Sequence, residues 1–336
     1  MVGTFPTSRT QTSRPGKAWL LLSLESQMPR AEALNKRVRI RVTAGRAMQP
    51  HSFDYVRPQT LAKAIQVLSE NGNRAKVLAG GQSLIPILKL RFANPRVLVD
   101  INDLPGLAFI EERGDQLRIG ALSRHRDFEQ SKLIRGKYPI FSDVSTVLGD
   151  PQVRNLGTIG GALAHADPAS DWGTALLAFE AELIARGPNG ARTIPIDRFF
   201  KDPFTTVLRS SELLTEIRVP KSKPGDGGAY LKLKRKTGDF ATIGVAVQLG
   251  LDAKRNVAGA RIALASVGPT PIRATGAGKA LVGRKAGPTA FADAAKLASE
   301  EAHPSSDLRG SEEYKRAMVE VFTRRALETA MARAGR

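Results

Sequence analysis

From Phe53 to Ile101 the chain alternates short apolar runs with segments of helical period, joined by links of only a few residues. Phe53-Asp-Tyr-Val-Arg57 reads as a strand ended by Pro58, since proline has no N–H to give a ladder. Thr60 offers a capping hydroxyl to a helix whose apolar face is Leu61, Ala64, Ile65 and Leu68, and Asn71-Gly72 stops it. Lys76-Val-Leu-Ala79 is a second strand. Leu84 to Phe92 is a second helix, with Pro86 tolerated in its first turn, and Val97 to Ile101 is a third strand. Strands separated by single helices pair in parallel, because only a crossover returns the chain to the same sheet edge. A small parallel β-α-β-α-β unit is therefore expected.

A second unit follows. Phe109 to Glu112 and Gln116 to Ala121 form a predicted hairpin around Arg113-Gly-Asp115, with helices over 124–131 and 139–148. Then come the glycine turn Gly157-Thr-Ile-Gly-Gly161, a helix capped near Asp167-Pro168, and strands around Leu183 and Ile194 joined by Pro188-Asn-Gly190. Lys221-Ser-Lys-Pro-Gly-Asp-Gly-Gly228 reads as a linker. Beyond it, strands over 230–235, 241–249 and 259–265 precede helices over 289–302 and 311–334. That order predicts an antiparallel sheet backed by helices. The whole is an α+β chain divided into 48–223 (subdomains 48–103 and 104–223) and 224–336.

Residues 1–47 are unlike the rest: rich in Arg and Ser, with one apolar run, Trp19 to Leu24, too short to span a bilayer. They read as a disordered tail, or as the product of an upstream start with Met48 as the natural first residue. No later segment is long and apolar enough to cross a membrane.

Composition excludes several chemistries. There is no cysteine, so this chain holds no disulfide, no thiol nucleophile and no iron–sulfur cluster of its own. Its four histidines stand at positions 51, 125, 165 and 303, none at helical ligand spacing, so no metal site is expected. The net charge of +19 raises the question of nucleic acid. Nine Lys/Arg against two acidic residues fall in 1–47, leaving 42 against 30 spread over the remainder. The densest basic run of the body, Lys232-Leu-Lys-Arg-Lys236, alternates like a strand with one basic face. Four Tyr and two Trp give little material for base stacking. The charge reads as a basic, soluble surface or docking face.

Two glycine segments are candidate ligand sites. Ala79-Gly80-Gly81-Gln82-Ser83 lies directly after a strand and directly before the helix that opens at Leu84. Paired glycines let backbone N–H groups approach an anion, and a helix start adds its positive end. Thr158-Ile159-Gly160-Gly161-Ala162 pairs glycines again, with Asp167 and Asp171 downstream. Either segment alone could be a tight connection; together they could grip a two-phosphate ligand from both sides. Other glycine-rich stretches fail. Gly276-Ala-Gly-Lys-Ala280 lacks the third glycine of a dinucleotide fingerprint and the Ser/Thr of a P-loop. Ile85 stands where a nucleophile elbow needs its last glycine.

At these residues the chain resembles a known family. Ala79-Gly-Gly-Gln-Ser-Leu-Ile-Pro-Ile-Leu-Lys-Leu-Arg91 is similar to the pyrophosphate loop of the flavin subunits of molybdenum hydroxylases. Gly157 to Gly161 with Asp167-Pro-Ala-Ser-Asp171 is similar to that family's second flavin loop, and Lys232 to Ala241 to the opening of its C-terminal domain. Phe53-Asp-Tyr-Val-Arg-Pro58 matches the usual start, and the four motifs keep their order from about Met48 to the C-terminus.

The resemblance, to the carbon monoxide dehydrogenase medium-chain and xanthine dehydrogenase type, implies a two-part FAD-binding domain followed by a C-terminal flavoprotein domain. It implies FAD as cofactor, with Ala79 to Leu84 and Thr158 to Ala162 around the diphosphate and ribityl chain. Asp171 and Asp167 would accept hydrogen bonds from ribose or ribityl hydroxyls, Lys232 would lie near the flavin, and Phe240 would cover one face of the ring. Relatives often carry Asn where Ala162 stands, and the carbon monoxide enzyme carries Tyr where Phe240 stands. The implied role is electron transfer with no catalytic acid or base on this chain. The implied partners are an iron–sulfur small subunit and a molybdopterin large subunit, in a dimer of heterotrimers, in the cytoplasm or at the inner face of the membrane. A self-sufficient flavin oxidase and a basic nucleic-acid-binding protein are the competing readings.

Overall fold

The computed structural model describes residues 38–40 and 48–334. The expectation for 1–47 thus lies outside the described residues, except that Val38–Ile40 form a strand (β1) the sequence did not suggest. β1 pairs antiparallel with β2 (Phe53–Val56), which continues into α1 (Leu61–Asn71), β3 (Ala75–Leu78), α2 (Leu84–Lys89) and β4 (Val97–Asp100). Thr60 caps α1 by accepting from the N–H of Lys63 at 3.2 Å, and Gly72 ends it at φ +52°. The sheet order is β1-β2-β4-β3, with β4 parallel to both neighbours. The expected parallel unit is present, and β4 is buried throughout. Helix α2 stops at Lys89, short of the expected Phe92, and Arg91 adopts φ +61°.

The second unit carries a hairpin, β5 (Ile110–Arg113) and β6 (Gln116–Gly120), then six helices. These are α3 (His125–Gln130), α4 (Lys132–Lys137), α5 (Pro139–Val147), α6 (Pro151–Leu156), α7 (Ile159–His165) and α8 (Asp171–Phe179). Then follow β7 (Glu182–Gly187), β8 (Gly190–Pro195), the short pair β9 (Phe200–Asp202) and β10 (Thr205–Thr206), and β11 (Leu213–Pro220). β11 returns between the hairpins to give a five-stranded antiparallel sheet, β5-β6-β11-β7-β8. Helix α8 is buried along its whole length. Around it Phe128, Phe141, Trp172 and Phe179 form an aromatic cluster, with ring centroids 4.4 Å apart for Phe128–Trp172 and 4.7 Å for Phe141–Phe179. Rings in such pairs add to the stabilisation their burial already gives.

Two expectations need correction here. The segment from Thr158 is not a turn: Thr158 caps α7, and its glycines lie in the first turn of that helix. Nor does Asp167 cap α8. Its carboxylate accepts from the N–H of Ala169 at 2.8 Å, while the Ser170 hydroxyl accepts from Gly173 at 3.1 Å and caps the helix.

The third unit is the antiparallel sheet β12 (Asp226–Leu233), β13 (Ile243–Leu251), β14 (Val257–Ala265) and β15 (Ile272–Arg273), covered by α9 (Thr275–Leu281), α10 (Pro288–Glu300) and α11 (Glu312–Arg333). β12 begins at Asp226, so the last residues of the expected linker, Gly227 and Gly228, are strand. It ends at Leu233, so Lys234 to Lys236 lie beyond it and form no strand face; Lys232 is buried instead.

This sheet is welded to the second unit. The Asp143 carboxylate on α5 accepts from the N–H of Tyr230 at 2.9 Å and from both Nη atoms of Arg333 at 2.6 and 3.0 Å. Gly227 lets β12 lie flat on the end of α11, where an added Cβ would press on the backbone of Ala330 and Ala334. Gly227→Ala is therefore expected to cost about 1–3 kcal/mol of stability, the range of an overpacked site, measured by denaturant unfolding. A cost under a few tenths of a kcal/mol would mean the contact is soft.

Candidate functional site

At the C-terminal edge of the parallel sheet, where open α/β sheets place their ligands, the loop Ala79–Ser83 leaves β3 and enters α2. Gly81 takes φ +74°, a backbone conformation that side chains disfavour. The backbone N–H groups of Gly80, Gly81, Gln82, Ser83 and Leu84 have no acceptor among the described residues. Five successive free donors, at the start of a helix, are what an anionic group needs. The loop is half-buried, so an anion there would be partly shielded from water.

The second segment lies against the first. A Cβ added at Gly80 would collide with the carbonyl of Leu156 and stand 2.7 Å from Gly157 Cα. A Cβ added at Gly161 would stand 3.9 Å from that of Ala79. The two glycine segments, about eighty residues apart in sequence, therefore form one cradle. Yet their amides differ. Ile159 N–H donates to Ser123 O (3.1 Å), Gly160 N–H to Ala121 O (2.9 Å), Gly161 N–H to the Thr158 hydroxyl (3.1 Å) and Ala162 N–H to Thr158 O (3.0 Å). Gly160 is small because its Cα lies on Ala121, where a Cβ would come within 2.6 Å. The second segment is a wall; the first is open.

Other expected site residues lie at different depths. Both Asp171 oxygens are engaged: the Tyr230 hydroxyl donates to one through a short bond, and Lys232 Nζ lies 2.9 Å from the other. This group is buried between α8 and β12, and burial beside the carboxylate pushes the Tyr230 hydroxyl well above its usual pKa. Asp167 is half-buried, 3.8 Å from His165. Phe240 is 51% exposed, with the Arg309 guanidinium 5.8 Å from its ring centre. Arg309 lies over one face of the ring, and the remainder stands exposed on the loop after β12.

Sequence reasoning passed over His125, Asn102 and Arg124. His125 is buried, accepts from the Trp172 indole N–H at Nδ1 (3.0 Å), and packs its Nε2 edge on Gly157, where a Cβ would come within 2.5 Å. Since Nδ1 accepts, the neutral ring carries its proton on Nε2. Burial, then the nearby Arg124 and Arg154 charges, lower its pKa to about 3. Its position in the sequence, opening a short helix after a hairpin, carried no such signal. Asn102 had one: it stands just past the end of a parallel strand.

Comparison with known proteins decides the family. Residues 51–222 match the family described as FAD binding domain in molybdopterin dehydrogenase, and residues 228–330 match the CO dehydrogenase flavoprotein C-terminal domain. The chain belongs to the FAD-binding medium subunits of the molybdenum hydroxylase family.

It is 43% identical to the carbon monoxide dehydrogenase medium chain of Hydrogenophaga pseudoflava, over 85% of this chain and 99% of the relative. It is 42% identical to that of Afipia carboxidovorans over the same shares. A carbon monoxide dehydrogenase structure from Hydrogenophaga pseudoflava superposes with TM-score 0.83 at 44% identity, covering 85% of this chain and 100% of that one. FAD is the cofactor of this oxidoreductase family, and the residues present fit it: a close glycine contact at Gly80 and, beside it, five backbone donors without a protein acceptor among the described residues, suited to a diphosphate. Among the described residues no helix is long and apolar enough to cross a membrane.

The buried neutral His125 gives a pH test. The unfolded chain takes up a proton near pH 6.5 that the folded site refuses until about pH 3, so stability falls as pH is lowered through that window. Between pH 6.5 and 5 the loss from this group should reach about 2 kcal/mol. His125→Gln keeps an acceptor for Trp172 and should flatten that slope by more than about 1 kcal/mol. His165, also lowered by burial, is unchanged in both proteins. Equal slopes in denaturant melts at the two pH values would contradict the assignment.

Proposed function

We propose that this chain is the electron-transfer subunit of a multi-subunit molybdenum hydroxylase of the carbon monoxide dehydrogenase medium-chain type. It would take electrons from iron–sulfur clusters on a small subunit, which draw them from the molybdenum cofactor of a large subunit, and deliver them to an external acceptor. Bound FAD supplies this exchange, because its ring takes up electrons singly or in pairs. Absence of cysteine is consistent with the division of labour, since the clusters must then sit on another chain. We further propose that the subunits form a dimer of heterotrimers in the cytoplasm, at or near the inner face of the membrane, and that 48–223 and 224–336 are the two functional domains.

The carrying observation is the single cradle built by the two glycine segments. In it Gly80 to Leu84 would hold the diphosphate through backbone N–H groups with Ala79 at the foot of the same loop, Thr158 to Ala162 line the opposite wall, and Phe240 offers its ring to one face of the flavin. Asp171 and Lys232, bonded to each other, stiffen the floor between the two domains. Asp167 stays available at the rim to ribityl or ribose hydroxyls.

The purified chain should turn yellow on incubation with FAD, and in its native host it should co-purify with one iron–sulfur and one molybdopterin polypeptide. Gly80→Ala would push the two segments apart and should raise the FAD Kd at least about tenfold while leaving the far-ultraviolet circular dichroism unchanged. A chain that stays colourless, or is recovered from its host as a lone polypeptide with oxidase activity, would overturn the reading.

A further inference from the structure

What holds the two glycine segments at their separation is a side-chain chain running along the sheet edge. The Tyr55 hydroxyl donates to Asp100 through a short bond, and Asp100 Oδ1 accepts from both the backbone N–H (2.9 Å) and the side-chain Nδ2 (2.7 Å) of Asn102. Asn102 Nδ2 also donates to the carbonyl of Ala79 (2.7 Å), the first residue of the open loop. Its Oδ1 accepts from Arg124 Nη2 at 2.7 Å. Arg124 Nη1 donates through a short bond to the carbonyl of Leu156, the residue that meets Gly80. Every polar atom of the Asn102 side chain is thus used, which leaves the amide a single orientation.

The charge of this chain is also informative. Arg124 is half-buried and bonds to two neutral oxygens; among the described residues no carboxylate forms an ion pair with it. Asp127 is committed to the Arg124 backbone N–H at 2.7 Å, and Asp100 to Tyr55 and Asn102. Arg124 makes no direct ion pair among the described residues, although Asp127, Asp100 and Asp103 act on it through space, and it sets a half-buried positive charge between a loop of free amides and its wall, where an anion would be held.

We propose that Asn102 and Arg124 form a clamp that fixes the spacing of the two glycine segments, making both residues positioning residues for the FAD diphosphate. The clamp rests on the FAD cradle proposed above. It acts through the loop carbonyls, so its loss should weaken the grip on the diphosphate and leave the environment of the flavin ring intact.

The test is titration of the full-length apo-protein with FAD and, in competition, with ADP, which carries the diphosphate without the ring. Asn102→Ala and Arg124→Ala should each raise the Kd for both ligands about tenfold or more. The visible spectrum of the flavin that does bind should be unchanged, and the apo-protein melting temperature should stay within a few degrees. Because the two residues act in series, the double variant should lose less than the product of the single losses. Arg124→Lys covers the case in which a truncation fails to fold. It keeps the charge but not the fork spanning Asn102 and Leu156, and should weaken both ligands in the same direction. Unchanged Kd values in folded variants, or FAD loss with ADP binding intact, would overturn the clamp. If the wild-type chain binds no FAD, the underlying cofactor reading falls with it.

Discussion

The site depends on one close approach, the backbone of Gly80 against the backbone of Leu156 and Gly157. No side chain fits between them, so the parallel sheet and the helical second unit meet with main chain on main chain. A contact of that kind cannot be adjusted by rotamer changes, and small displacements on either side are transmitted directly. Its two flanks are fixed by different means. On the sheet side, Asn102 ties Ala79 to the end of β4; on the helical side, the backbone N–H of His125 donates to Gly157 O at 3.0 Å and its ring is wedged against Trp172. The aromatic cluster around α8 is thus the footing for the second glycine segment as well as the core of its unit.

Although both segments are glycine pairs, they do unlike work. In the first, glycine frees donors: Gly81 turns the chain so that five N–H groups point away from protein acceptors. In the second, glycine permits packing, and the donors are spent on Ala121, Ser123 and Thr158. On the proposed reading, a ligand with two phosphates would gain its electrostatic hold from the first segment and its shape from the second. The C-terminal sheet contributes from below. Asp143 and Asp171, buried or half-buried on α5 and α8, each collect partners from β12, so the strand leading to Phe240 is held where it leaves the second unit.

Most of the fold was legible in the sequence because its signals are local. The caps at Thr60, the stop at Asn71-Gly72 and the Pro188-Asn-Gly190 hairpin each act within a few residues, and each element stands where its signal put it. Errors arose where two local signals competed. Asp167 before Pro168 and Ser170 before Asp171 are both good caps, and tertiary packing of Trp172 selects the later start. Thr158 looked like part of a turn because two glycines followed it, yet the contacts of Gly160 with Ala121 stabilise a helix there. That the two glycine segments could act together was legible from the paired glycines, and they do meet; what braces them was not legible. Asn102, Arg124 and His125 act on residues between 22 and 47 positions away, a distance over which spacing carries no information. Lys232 read as a surface cation because neighbouring lysines mask its buried partner Asp171.

Amide hydrogen exchange on the full-length chain, with and without FAD, tests the division of labour between the two segments most directly. The amides of Gly80 to Leu84 should exchange fast in the apo-protein and become protected when FAD binds, while those of Ile159 to Ala162 should already be slow and change little. Protection appearing at 159–162 with 80–84 unaffected would contradict the proposed assignment of the loop that grips the cofactor.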